Sequence, residues 1–432
     1  MQSQRDWASK SAHPKQARVM ESAWPTAHVS TLNGEPLGQT QPVGDLTPYK
    51  ILLYSHDTFG LGNIRRTLLL TQDLTNEYPK AAILVVTGSP MIHAFRIPEG
   101  VDYIKLPCLD RVEPERYEPR FLFDCSEEMK RTRRAILEKS VLGFAPDLMI
   151  VDKRPAGVDG ELLETLRALQ ERPGRTKLVL GLRDILDEPE RTRMTLIRNG
   201  SFEVIDRSYD EVWVYGTQSI FDPIKEYAFP ESVARKTFFC GYLKRPTESV
   251  TRDGGPPRVL VTTGGGGDGG RMIETYLEGL AGLPRNIAIE TTVIFGPQMP
   301  ENRRVALLER YGYLADVTFL DFEPDLTRRY AEADVVVSMA GYNTVCEMLS
   351  FARRAILVPR AEPVMEQLIR ARLLAAQGLF DIVEPQDLSP DTLIRKVLDS
   401  FKPSPVAPAP LNLDGLPRIR ERVRALLKGE TK

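Results

Sequence analysis

The chain of 432 residues sets 57 Lys and Arg against 59 Asp and Glu, which excludes a global field that recruits nucleic acid or anionic membrane. Four cysteines (Cys108, Cys125, Cys240, Cys346) without CxxC spacing, and four histidines (His13, His28, His56, His93) within the first quarter, exclude a legible zinc cluster or disulfide framework. No apolar run approaches the roughly 18 residues of a membrane-spanning helix and no signal-peptide core opens the chain, so a cytoplasmic, reduced, two-domain protein is expected.

Residues 1–48 are rich in Gln, Ser, Pro and Thr and lack an apolar period, so they are expected to be a disordered tail. From Tyr49 the texture changes. The runs "KILLY", "AAILVVTG", "DLMIVDK", "KLVLGLRD" and "EVWVYG" alternate with amphipathic stretches, which predicts an α/β domain over 49–243 with a parallel sheet covered on both faces. Pro246, Gly254, Gly255, Pro256 and Pro257 mark a linker at 244–257. The runs "RVLVTTGG", "AIETTVIFG", "DVTFLDF", "DVVVSMAG" and "RRAILVPR" then predict a second doubly wound domain over 258–400. Residues 401–432 read as a Pro-rich segment and a closing basic amphipathic helix.

In open parallel sheets ligands bind outside the carboxyl ends of strands, so the informative residues are those that follow each strand. In the first domain these are Ser55-His56-Asp57, Thr87-Gly88-Ser89, Asp152-Lys153-Arg154, Arg183-Asp184 and Tyr215-Gly216-Thr217, which together suggest a polar cleft. The first of these turns continues into "FGLGNIRR", with Gly60, Gly62, Asn63, Arg65 and Arg66 at the start of a helix. The second domain opens with a strand running into Gly264, Gly265, Gly266, Gly267, Asp268, Gly269 and Gly270 before a helix. Such glycines let a phosphate approach backbone N–H groups, and the helix N-terminus adds positive partial charge. No GK[ST] follows, so this is not a Walker A loop. Further on, "AGYNTVCE" predicts a helix from about Thr344 with Glu347 in its first turn, able to accept from the vicinal hydroxyls of a ribose. Glu366, Gln367 and Arg370 open the helix after "AILVP" and face the same edge.

These motifs resemble glycosyltransferase family 28, which includes the peptidoglycan N-acetylglucosaminyltransferase that uses UDP-N-acetylglucosamine. "SHDTFGLG", "TGSP", "VDKRPAG" and "VYGTQSIFDP" are similar, more narrowly, to a group of bacterial predicted glycosyltransferases, and that likeness spans about 49–400. The resemblance implies a GT-B fold, two Rossmann-like domains facing across a cleft. It also implies a donor site in which "GGGGDGGR" is the diphosphate loop, with Gly267 where a serine often stands. Phe322 and Glu323 would lie by the nucleobase, Thr344 by the phosphates and Glu347 at the ribose, with Gly341 also in the donor site. Glu366 and Gln367 match two glutamines that read the donor sugar, Arg370 replaces an asparagine, and Arg245 matches an arginine near the diphosphate. Asn63 stands where members commonly carry histidine, and asparagine cannot take a proton near neutral pH.

The implied activity is an inverting transfer of a hexose or N-acetylhexosamine from a UDP-linked donor to a glycan, lipid-linked or small-molecule hydroxyl. Such a transfer needs a general base on the acceptor and stabilisation of charge on the leaving diphosphate. No DxD motif is placed for a metal, and no cofactor beyond the donor is expected. Candidate bases are His56, Asp57 and Asp184, in that order. A non-hydrolysing UDP-N-acetylglucosamine 2-epimerase shares the two-domain fold and is the alternative enzyme, and a nucleotide-sugar sensor without catalysis is the third class. The closing helix offers contact with the inner membrane face through Arg418, Arg420, Arg422, Arg424 and Lys428, but in this fold the last helix commonly packs back across the first domain, which is the preferred expectation.

Overall fold

A computed structural model of the chain describes residues 45–56, 62–113, 116–122, 124–172, 174, 176–247, 250, 254–351, 354–402 and 411–429. The expected N-terminal tail up to residue 44, and Asp57 and Gly60 of the first loop, lie outside the described residues.

Among the described residues nine strands form the N-terminal part: β1 (Lys50–Ser55), β2 (Ala82–Thr87), β3 (Val101–Lys105), β4 (Leu109–Glu113), β5 (Arg116–Pro119), β6 (Leu148–Asp152), β7 (Lys177–Arg183), β8 (Glu211–Tyr215) and β9 (Thr237–Phe239). Seven of them make a parallel sheet in the order β3-β2-β1-β6-β7-β8-β9, while β4 and β5 form a separate antiparallel hairpin with a bulge between Arg111 and Glu113. β6 and β8 are buried at every position, which explains why their sequences run apolar without alternation. The C-terminal part adds β10 (Arg258–Thr262), β11 (Glu290–Ile294), β12 (Val317–Leu320), β13 (Val335–Ser338), β14 (Arg354–Leu357) and β15 (Asp381–Ile382). They form a parallel sheet in the order β12-β11-β10-β13-β14-β15.

In both sheets the order reverses at the first strand, between β1 and β6 and between β10 and β13. The carboxyl ends at these switch points are where crevices open. His56 and Lys153 therefore sit at one switch point, and the glycine loop and the Tyr342–Phe351 helix at the other.

The two parts share apolar core. Tyr342, Val345, Cys346 and Met348 of the Tyr342–Phe351 helix join the cluster built on β1, β6 and β8, and Tyr242 stacks on Tyr342 at 6.2 Å. The closing helix, Gly415–Lys428, buries Ile419, Val423 and Leu426 against the first domain. Its cations face the same way: Arg420 meets Asp73 at 3.3 Å, Arg424 meets Glu77 at 2.6 Å, Arg422 pairs with Glu211, and Arg418 donates to the Phe239 carbonyl. The helix thus packs back as expected, and its arginines are spent on carboxylates and a carbonyl of the protein. Among the described residues no helix is long and apolar enough to cross a membrane.

Candidate active site

A cleft of about 610 Å³ opens between the two switch points. Its C-terminal wall begins with the glycine loop. Gly264 and Gly266 adopt φ +71° and +99°, and a Cβ on Gly266 would lie 2.6 Å from the Phe295 carbonyl oxygen, so only glycine fits there. The loop is pinned from behind: Thr263 Oγ1 donates to the Phe295 carbonyl at 2.5 Å and Gln298 N–H donates to the Gly265 carbonyl at 2.8 Å. Gly265, Gly266 and Gly267 line the cleft, and the Gly270–Ala281 helix starts directly behind them. A rigid glycine turn at a helix N-terminus is an anion site by construction.

Gly341 and Thr344 line the same wall. The helix here begins at Tyr342, two residues before the predicted start, so Glu347 lies in its second turn and the first-turn capping expectation is corrected. Its buried carboxylate is taken by Arg65, which reaches across from the Gly62–Glu77 helix. Behind this pair lies a second, more apolar cavity of about 390 Å³, lined by Leu68, Leu69, Phe95, Leu326 and Phe351 among others. Phe322 and Glu323 do not line the main cleft. Phe322 packs edge-on against Phe95 at 6.3 Å, beside the second cavity, and Glu323 faces Arg329 at 3.8 Å. Arg245, expected near the diphosphate, lines the second cavity. Its guanidinium bonds Asn343 Oδ1 at 2.9 Å and the Arg65 carbonyl at 3.4 Å, while Asn343 Nδ2 donates to the Gly62 carbonyl at 2.6 Å. These bonds join the two walls.

Of the predicted sugar-reading trio, two members face the cleft. Glu366 is ringed by Arg183 at 2.8 Å, Arg360 at 3.3 Å and Arg370 at 3.8 Å. Burial raises the Glu366 pKa, but Arg183, Arg370, Lys153 and Arg360 outweigh it and hold the carboxyl down to about 2. Gln367 is 8% exposed and its Oε1 has no partner. Arg370 is the correction: fully buried, it grips Asp184 (Nη2 to Oδ1 2.7 Å, Nε to Oδ2 2.9 Å) and donates to the Ala340 carbonyl. Asp184 also accepts from Tyr242 Oη at 3.0 Å and the Ile185 N–H at 2.8 Å. A carboxylate so saturated, beside a permanent cation, cannot serve as the general base proposed for it.

On the N-terminal wall His56 is 5% exposed, with Nδ1 3.3 Å from the Asp152 carbonyl and Nε2 3.3 Å from Asn63 Nδ2. Nδ1–H therefore donates to the carbonyl and Nε2 accepts from the Asn63 amide. Burial, reinforced by Arg154 and Lys153, holds the His56 pKa well below 6.5, so the imidazole is neutral near pH 7. Arg66 lines the cleft but serves the frame. It clasps both oxygens of Asp152, at 2.5 and 2.6 Å, donates to Asn63 Oδ1, and lies 5.7 Å from the rings of both Tyr215 and Tyr342. Arg154 donates to Tyr117 Oη. Cleft residues not singled out from the sequence include Arg111 and Arg360, whereas Lys153 and Arg183 were expected there as strand-end residues. The signal for Lys153 was its place directly after the buried strand Leu148–Asp152.

Residues 259–413 match the model of the glycosyltransferase family 28 C-terminal domain. The UDP-N-acetylglucosamine--N-acetylmuramyl-(pentapeptide) pyrophosphoryl-undecaprenol N-acetylglucosamine transferase of Mannheimia succiniciproducens is 33% identical over 151 residues, covering 34% of this chain and 41% of that protein. Its counterpart in Phenylobacterium zucineum is 32% identical over 174 residues, covering 38% and 47%. The chain thus spans less than half the length of the curated relatives it matches. Among solved structures, the kitacinnamycin glycotransferase superposes with TM-score 0.56 at 14% identity, covering 89% of this chain and 96% of that one. Acinetobacter baumannii MurG gives 0.50 at 16%, covering 88% and 100%. A Listeria monocytogenes protein described as a UDP-N-acetylglucosamine 2-epimerase gives 0.57 at 12%, covering 89% and 98%. At these identities the likeness is one of fold. Residues 259–413 therefore carry a glycosyltransferase family 28 C-terminal domain, similar to part of the peptidoglycan N-acetylglucosamine transferases, and the two parallel-sheet domains facing across a cleft have the GT-B fold.

Proposed function

We propose that the protein transfers a hexose or N-acetylhexosamine from a nucleoside diphosphate sugar, UDP-linked, to an acceptor hydroxyl, with inversion and without a metal ion. The nucleobase enters the second cavity beside Phe322 and Glu323, the ribose takes Glu347 as Arg65 withdraws, and the diphosphate lies on Gly265–Gly267 and Thr344. The sugar meets Glu366 and Gln367. The observation that carries this reading is the buried, unpartnered Gln367 carbonyl on the same cleft as the glycine loop. An unpaired buried polar atom costs about 1–3 kcal/mol, which a sugar hydroxyl would recover on donating to it.

In the transfer the acceptor oxygen bonds to C1 of the sugar and its proton passes to His56 Nε2, with Asn63 rotating aside. The bond from C1 to the phosphate oxygen breaks and its electron pair leaves with the diphosphate. Backbone N–H groups at the Gly270–Ala281 helix start meet that charge. Asp57 is the other candidate base. Thermal shifts with UDP, GDP and dTDP and their sugars test the donor site: saturation at about 100 times Kd should stabilise the protein by about 2.7 kcal/mol, and no shift with any of them would sink the reading.

The epimerase reading keeps a specific support, the whole-chain superposition on the Listeria protein. Formation of UDP-N-acetylmannosamine from UDP-N-acetylglucosamine in the absence of any acceptor would favour it over transfer.

A further inference from the structure

In the empty protein the lone pair of His56 Nε2 is already engaged. It faces Asn63 Nδ2 at 3.3 Å, and the amide is held in that orientation because Asn63 Oδ1 accepts from Arg66 Nη2 at 3.0 Å. Arg66 is fixed in turn on Asp152. A lone pair that accepts from an amide is closed to a proton, and the bond favours the neutral imidazole. Whatever opens it must act on the first turn of the Gly62–Glu77 helix, which carries Asn63, Arg65 and Arg66.

That turn is tied across the cleft. Asn343 Nδ2 donates to the Gly62 carbonyl at 2.6 Å, Arg245 Nη1 donates to the Arg65 carbonyl at 3.4 Å, and the Arg65 guanidinium pairs with Glu347. The first two bonds hold backbone, whereas the third is made by a side chain standing in ligand space. Arg65 lines both the main cleft and the second cavity, so a ligand that fills both must cross at Arg65. With Arg65 17% and Glu347 5% exposed, the pair is too shielded to count as a surface ion pair of little worth.

On the donor reading above, in which a ribose takes Glu347, we infer that the Arg65–Glu347 pair is a latch: it keeps Asn63 on His56 Nε2, and a bound nucleoside releases it. Arg65 and Asn63 are then positioning residues, and His56 remains the group that meets the acceptor. Once ribose hydroxyls donate to Glu347, Arg65 is evicted and the helix start loses that tie. Asn63, two residues earlier on the same turn, leaves Nε2 open to the cleft that both residues line. Proton uptake is thereby coupled to the presence of a donor.

The chain has four histidines, so the Cε1–H resonances of the full chain labelled with 13C-histidine report His56 directly once His56→Gln assigns it. In the unliganded parent the His56 midpoint lies well below 6.5, set by burial, then by Arg154 and Lys153 after β6 and by Arg66, while the Asp152 carbonyl on Nδ1 opposes them. Saturating uridine brings the ribose without the diphosphate charge. It should raise the midpoint by about one pH unit, the worth of one neutral hydrogen bond. Asn63→Ala should show the same rise without uridine and no further rise with it.

Arg65→Met and Glu347→Gln separate a latch from a mere field. One removes a cation and the other an anion, so their direct effects on His56 have opposite signs, yet both break the pair. Both should raise the midpoint by about one pH unit without any ligand. Midpoints that move in opposite directions, or that stay in place in both variants or in Asn63→Ala, would overturn the latch. Calorimetric binding of uridine and UDP with the His56 midpoint unchanged by uridine overturns it too, and leaves the donor reading standing. Where neither uridine nor UDP binds, the donor reading fails, and the unliganded variants alone decide whether the pair holds Asn63 in place.

Discussion

The two walls of the cleft are built by different means. The C-terminal wall is built on backbone, a glycine turn held by the Phe295 carbonyl and a helix start, to which Thr344, Arg360, Glu366 and Gln367 add side chains. The N-terminal wall presents side chains, gathered from the ends of β1, β6 and β7 and from the hairpin, and held by paired charges. A backbone site tolerates change in neighbouring side chains but not in its glycines. A side-chain site has the opposite sensitivity, and its charges answer to pH.

The largest expected effect comes from the bond that registers one wall against the other. Arg370→Met or Asp184→Asn leaves a buried partner uncompensated and should cost about 3–5 kcal/mol of stability, read from urea unfolding. A loss under about 1 kcal/mol would mean that the pair does not hold the domains together. On the backbone wall, Gly266→Ala forces a Cβ into the Phe295 carbonyl and should lower UDP affinity by about 100-fold, with local strain of about 1–3 kcal/mol. Unaltered UDP binding in that variant would remove the glycine loop from the donor site.

Glu347→Gln should weaken UDP by about tenfold, whereas Arg65→Met should tighten it severalfold, because Glu347 no longer has to be released before it meets a ribose. Weaker binding in Arg65→Met would show instead that Arg65 moves onto the phosphates.

The side-chain wall should also register in stability against pH. His56 is neutral when folded, with its pKa below the usual 6.5, so below about that pH the unfolded chain binds the extra proton. Stability therefore falls as pH drops through that range, and His56→Gln should flatten the slope between about pH 7 and about pH 5. Lys153, at about 7 against an ordinary 10.5, follows the same sign in a higher window. Stability gains from its deprotonation as pH rises between those values, and Lys153→Met should lose this gain. Denaturant midpoints across the two windows check both. The smallest change is expected far from the cleft, where Arg424→Met removes an exposed pair with Glu77 and should cost about 0.2–1 kcal/mol.

Much of the backbone wall was legible in the sequence because its signals are local. "TTGGGGDGG" behind an apolar strand specifies a turn and a helix start within ten residues, and Gln367 opens the helix that follows β14. The same logic placed His56. It failed where a residue's partner is remote. Arg370 looked like a donor-facing residue and Asp184 like a base, yet they neutralise each other across 186 positions, and Arg65 meets Glu347 across 282. The start of the Tyr342–Phe351 helix was misplaced by two residues, because "AGYN" carries no strong capping signal.

The sequence by itself determined two parallel-sheet domains, the glycine turn and the set of polar residues at strand ends, since these depend on apolar runs and on backbone freedom within a few residues. Tertiary structure decided which of those polar residues are free to act. Burial makes an unpaired charge costly, so each arginine and carboxylate is committed to the partner that folding brings within reach. Only the three-dimensional arrangement shows that Asp184, Arg66 and Arg370 are consumed, while Gln367, His56 and Lys153 face the cleft.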